Sequence, residues 1–203
     1  MKKLFIITTL ISFLTSSLAV AKNNNQISFF VISSKVRNEY KDATGTRAPS
    51  LNSKSDSTSF ALSYGYKLEL PNKFFVTPSV FYDYINNQAL ERFGSNADFR
   101  EEVNYRYGLK ADLGYNLLEK LSAYGSIGVA STDYTIKWNN VPSLRKNDND
   151  ISLVYGGGLS YNVKDDLALN VEYNIQSLEM EAILGEGYDT DINMLKIGVS
   201  HKF

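Results

Sequence analysis

Long stretches of this chain alternate apolar and polar side chains at period two. In residues 167–176, Leu167, Leu169, Val171, Tyr173 and Ile175 fall on one side, and Ala168, Asn170, Glu172, Asn174 and Gln176 on the other. Successive side chains of a strand point to opposite faces, so the pattern predicts a strand with one apolar and one polar face. A helix would scatter both sets around its circumference. The segment from Val103 repeats the pattern, with Val103, Tyr105, Tyr107, Leu109, Ala111, Leu113 and Tyr115 against Asn104, Arg106, Gly108, Lys110, Asp112 and Gly114. Further strands read near 26–40, 57–68, 74–85, 121–137 and 151–163, and the last carries Leu195, Ile197 and Val199. Two are less regular: Phe29 to Ile32 is an unbroken apolar run, and Pro78 removes a ladder donor inside 74–85. Eight strands result.

The connections alternate as strictly as the strands. Segments 41–56, 86–100, 139–150 and 182–190 are long and polar, while 69–73, 116–120 and 164–166 are short. A soluble sandwich has no reason to sort its loops this way. An up-and-down barrel in an outer membrane does, with short turns in the periplasm and longer loops outside. Mean hydropathy is -0.23, and past the first twenty or so residues no stretch reaches the ~18 apolar residues of a spanning helix. That excludes a helical membrane protein and leaves a barrel open, because a spanning strand gives alternate residues to a polar lumen.

The polar faces decide which side meets lipid. They carry Lys67, Arg106, Lys110 and Lys196 against Asp83, Glu102, Asp112 and Glu172. This charge-matched set suits the interior of an eight-stranded barrel, which side chains just fill. Slipping strand 103–115 by one residue would aim Arg106, Lys110 and Asp112 at lipid, at ~2–4 kcal/mol for a basic residue at the midplane. Tyr64, Tyr66, Tyr82, Tyr84, Tyr105, Tyr107, Tyr115, Tyr155 and Tyr161 lie on the outward faces, many toward strand ends, as an interfacial girdle requires. Trp138 falls at the far end of its strand, where an outer girdle would lie.

The N-terminus reads as an address. Lys2 and Lys3 precede the apolar run Leu4 to Leu18, and Ala19-Val20-Ala21 has the form of a cleavage site. Residues 1–21 are therefore expected to be a signal peptide, cleaved after Ala21 with Ala19 as the other small residue, and 22–203 the barrel domain. Removal takes two lysines and no acid, leaving the exported chain mildly acidic. A near-neutral chain without a basic stripe is no nucleic-acid binder. With no cysteine it holds no disulfide and no thiolate centre.

Taken together, Ala19-Val20-Ala21, the Gly/Tyr-rich strands such as Tyr105-Arg106-Tyr107-Gly108-Leu109-Lys110 and Tyr155-Gly156-Gly157-Gly158, and the closing strand Leu195 to Phe203 resemble the small eight-stranded outer-membrane β-barrel family of Gram-negative bacteria, the surface-antigen and porin-like type. The resemblance implies an all-β, antiparallel, up-and-down transmembrane barrel in the cell outer membrane, with both chain ends in the periplasm. It also implies that Leu195, Ile197, Val199 and Phe203 resemble the signal read by the barrel-assembly machinery; His201 stands where an apolar residue is usual. Outer-membrane lipid and lipopolysaccharide are the implied surroundings, and an external ligand would meet the loops. A monomer is expected.

Chemistry is sparse. One histidine cannot build a histidine metal centre, and no cofactor is expected. His201 has Phe203 two residues later, where a lipid-A deacylase of this architecture would place its serine. Gly156-Gly157-Gly158 lies inside a strand, not at a strand-to-helix turn, so close packing or a bend explains it better than a phosphate. Glu179, Glu181, Glu186, Asp189 and Asp191 gather around the fourth long loop. They read as a solvated charged loop, with a cation bridge to lipopolysaccharide as the sharper alternative. The expected function is non-enzymatic: a surface protein whose loops serve adhesion or envelope integrity, its lumen plugged by side chains. A narrow channel for small or hydrophobic solutes is the alternative, and a lipid-A-modifying enzyme the remotest.

Overall fold

In the computed structural model, residues 24–41, 53–93, 97–138, 145–181 and 187–203 are described. The expected signal peptide, with Ala19 and Ala21, lies outside them, as does Glu186. The described chain is almost all strand: β1 (Asn25–Lys41), β2 (Ser53–Tyr66), β3 (Leu68–Glu69), β4 (Phe74–Phe93), β5 (Ala97–Asn116), β6 (Leu121–Trp138), β7 (Arg145–Asn162), β8 (Leu167–Glu181) and β9 (Gly187–Lys202). Neighbours in chain order pair antiparallel, except β2 and β3. β1 pairs with β9, and β2 with β4, so the sheet closes. The two-residue β3 continues the stave of β2, so nine segments make a closed eight-stranded antiparallel barrel.

The break between β2 and β3 has a local cause. It falls at Lys67, opposite the stretch of β4 that holds Pro78. Pro78 has no N–H to give the ladder, while on the β1 side the Lys67 amide still donates to the carbonyl of Asn24, at 2.8 Å.

The outward face is a continuous apolar band. It includes Ile27, Phe29 and Val31 on β1, Val80, Tyr82 and Tyr84 on β4, Leu109 and Leu113 on β5, Ile151 to Tyr161 on β7, and Leu195, Ile197 and Val199 on β9. Such a patch is far larger than water-facing proteins carry. On β5 it runs from Tyr105 to Tyr115, and on β7 from Ile151 to Tyr161, each near the roughly 9–11 residues that a tilted spanning strand needs. Aromatic pairs edge it: Phe74 meets Tyr115 with ring centroids 5.0 Å apart at the short-turn end, and Tyr82 meets Tyr105 at 5.8 Å at the other.

The strands outrun this band, and here the structure corrects the loop assignment. β4 and β5 have 20 residues each, and β6 and β7 have 18. Segment 86–100, expected to be a loop, is mostly the top of β4 and β5; 145–150, placed in a loop as well, is the start of β7. Polar side chains on both faces of 145–150 hid that stretch from a search for alternation.

A bulge produces the second correction. Val103 pairs with Tyr134 while Tyr105 pairs with Asp133, leaving Asn104 as the extra residue. A bulge of this kind shifts every residue beyond it to the other face. Val103 therefore turns inward and is buried, and Glu102 turns outward to an ion pair with Lys137. Asn104 donates to Asp133 at 2.6 Å across the bulge.

The interior has two layers. Toward the short-turn end it is polar. Toward the opposite end apolar side chains predominate, against the expectation of a polar lumen throughout: Ile32, Val36, Ile85, Val103, Tyr134, Ile136, Leu178, Met180, Ile192 and Met194 form one buried cluster, with Ser34, Asn38, Asn87, Glu101 and Thr190 buried on the same strands. This explains the unbroken run at Phe29 to Ile32, where Phe29 and Val31 face out and Phe30 and Ile32 face in.

Candidate functional site

The polar layer holds a chain of charges alternating in sign. Asp83 on β4 accepts from the Arg106 Nε on β5 at 2.7 Å, and from the Lys196 Nζ on β9 at 2.7 and 2.8 Å. Lys196 lies 3.9 Å from Glu172, which takes a hydrogen bond from Lys110 at 2.5 Å. Lys110 closes the series on Asp112 at 3.2 Å. Three acids and three bases balance, and Asp83 and Arg106 are fully buried. Burying one such charge alone would cost several kcal/mol, so each carries partners of opposite sign.

Geometry follows from register. Asp83 sits directly opposite Arg106, and Glu172 directly opposite Lys196. Those two pairs run along the wall. The Lys110–Glu172 and Lys196–Asp83 contacts instead cross the lumen between non-adjacent strands. Neutral groups extend the network: Arg106 Nη1 donates to Gln176 at 2.8 Å, Gln176 donates to Thr132 at 2.8 Å, Asn174 donates to Glu172 at 2.6 Å, and Ser126 donates to Asp112 at 2.6 Å, while Arg106 Nη2 is buried without a hydrogen-bond partner. Lys196 also lies over the rings of Phe81 and Phe30, at 5.5 and 5.9 Å.

Glycine makes room for one of these bonds. Tyr124 donates to Glu172 at 3.1 Å. A Cβ on Gly158 would lie 2.6 Å from that hydroxyl and 2.5 Å from the Val171 carbonyl. The glycine run is thus a place of close approach between backbone and side chain.

Six of the eight charged residues read from the sequence come together: Asp83, Arg106, Lys110, Asp112, Glu172 and Lys196. Two do not. Lys67 lies at the short-turn rim, paired with Glu69 at 2.7 Å and over the Phe75 ring at 4.2 Å. Glu102 has the parity of the outer face and is buried against Lys137, away from the network. Gln176, Thr132 and Asn174 complete the network; their inward parity was legible, but which groups they would meet across the lumen was not. Leu195, Ile197, Val199 and Phe203 are exposed on the outer surface. His201 is exposed, stacks on Phe203 with centroids 6.2 Å apart, and faces Asp166 at 3.8 Å. Among the described residues no group of His, Cys, Asp or Glu is placed to hold a metal ion.

Known proteins agree with this architecture. The OmpA-like transmembrane domain matches residues 32–203. Outer membrane protein X of Escherichia coli (strain K12) is 29% identical over 101 residues, a stretch that spans 48% of this chain and 57% of that protein. Among solved structures, the outer membrane protein OprG from Pseudomonas aeruginosa superposes with a TM-score of 0.58 at 15% identity, covering 90% of this chain and 98% of that one. Ail, the attachment invasion locus protein of Yersinia pestis, solved with the heparin analogue sucrose octasulfate, gives 0.52 at 18% identity, covering 90% and 100%. At these identities the structures speak for the fold. The apolar band, the closed sheet and the matched domain place the protein in the Gram-negative outer membrane, and the chain belongs to the OmpA-like transmembrane domain family.

Proposed function

We propose that this protein is a non-enzymatic surface protein whose sealed barrel anchors an extracellular platform used in adhesion. The carrying observation is the length of the strands beyond the apolar band. Above it the outward residues turn polar on neighbouring staves: Ser33, Lys35 and Arg37 on β1, Asn147 and Asn149 on β7, and Ser177 and Glu179 on β8. With the short turns in the periplasm, this ordered sheet stands outside the cell. Two layers close the lumen, the charge network within the band and the apolar cluster above it inside the extension, which argues for an anchor over a conduit. The C-terminal strand, with Leu195, Ile197, Val199 and Phe203 exposed, serves as the contact for the assembly machinery in this reading.

Cutting the β4–β5 and β6–β7 hairpins back to the band tests it. Cells carrying the shortened barrel are expected to lose attachment to epithelial or matrix-coated surfaces, while unheated and boiled samples still differ in gel mobility. Full attachment by the shortened, folded barrel would overturn the reading.

A further inference from the structure

The lumen is not filled at its lower end. Between the charge network and the short turns lies a polar chamber of about 580 Å³, counted out to its open mouth. Its floor includes Lys110, Asp112 and Glu172, which the network already pairs. Its mouth carries Lys67 and Lys202. With the short turns in the periplasm, the chamber opens there and ends blind at the network. Much of the volume is open mouth, and the enclosed part suits an ion-sized group.

Three hydroxyls line this chamber with nothing to bond. Ser63 on β2, Thr77 on β4 and Ser160 on β7 form part of its wall, and their side chains have no hydrogen-bond partner among the described residues. Their neighbours are satisfied: Ser28 and Ser200 bond each other at 2.6 Å, and Asn170 donates to Ser200 at 2.7 Å. Thr77 is only 2% exposed. Its methyl lies toward Gly65, where a Cβ would stand 3.0 Å from it, so the hydroxyl is the branch left to the chamber. A buried hydroxyl is costly unless something bonds it. Charge is unmatched at the same place. Lys67 pairs with Glu69, but Lys202 contacts no carboxylate among the described residues, and its ammonium donates to Asn162 Oδ1 at 2.9 Å. Two ammonium groups thus share the mouth with one carboxylate partner.

We propose that this chamber binds a phosphate group presented from the periplasm. Phosphate offers several acceptor oxygens, so the Lys202 ammonium and the three hydroxyls can all donate to one group. Charge-assisted bonds of this kind are the stronger ones, and lysine serves as the point charge. The floor carboxylates do not repel the anion, because Lys110 and Lys196 neutralise them. The two ammonium groups disfavour a cation, and the hydroxyls disfavour an apolar solute. The chamber lies on the periplasmic side of the seal, so the inference stands apart from the adhesion reading.

The test uses the barrel refolded in dodecyl maltoside, a detergent without phosphate, and titration calorimetry in sodium chloride at constant ionic strength. Inorganic phosphate is expected to bind saturably, one per barrel. Lys202→Gln is expected to weaken it at least tenfold. Thr77→Val is expected to weaken it severalfold, which a merely electrostatic rim would not produce. Lys73→Gln, on a short turn outside the chamber, leaves it unchanged. Gel mobility verifies that each variant is folded, and Ser160→Ala replaces Thr77→Val if that one is not. Glycerol 3-phosphate separates the sources: equal binding means a phosphate ester is accepted, and binding of inorganic phosphate alone means that the free ion is the ligand. Absence of saturable binding would overturn the proposal. So would unchanged binding by the folded Lys202 and Thr77 variants, which would make the phosphate an adventitious ion only.

Discussion

Replacing Asp83 by alanine is expected to cost about 3–5 kcal/mol of barrel stability. The carboxylate is fully buried and holds both the Lys196 ammonium and the Arg106 guanidinium. Its loss leaves two positive charges facing each other in a site closed to water on one side by the apolar cluster. Urea unfolding in lipid vesicles, followed by the loss of the fast-migrating folded band, measures the cost. Asp83→Ala combined with Lys196→Met should recover much of it, because the second change removes one uncompensated charge. A cost below about 1 kcal/mol for the single variant would mean that water reaches the network.

Arginine at position 127 is the second large effect. Ile127 faces outward near the middle of the band and is 63% exposed. An arginine there is expected to cost about 2–4 kcal/mol, the depth-dependent penalty of a basic group on the lipid face. Arginine at Asn149, also outward and exposed on the adjacent strand but above the band, should change stability by less than about 0.5 kcal/mol. Vesicle unfolding of both variants locates the lipid boundary between them. Equal costs would mean that the band has been drawn in the wrong place.

The architecture was legible because a membrane barrel writes its two solvents into alternate residues. Leu167 to Gln176 and Tyr105 to Tyr115 declare their faces without help, and parity alone brought six charges into one interior. Three features escaped. The bulge at Asn104 has no local signature strong enough to announce it, yet it reverses Val103 and Glu102. The strands above the band, such as Arg145 to Asp150, are polar on both faces, so their pairing partners, not their own pattern, hold them as strands. The apolar upper lumen showed only as the run Phe29 to Ile32, which reads as disorder in the pattern until both faces of that strand are seen to be dry. Which charges meet across the lumen depends on the stagger between strands far apart in the chain, and no single segment encodes that.

The two-layer seal is the central claim, and planar-bilayer recording tests it most directly. The purified, folded barrel should insert without a stable open conductance, and Asp83→Asn should not create one, because the apolar layer of Ile32, Ile85, Ile136, Ile192 and Met194 remains above the network. A steady, large conductance from the unaltered protein would contradict the account.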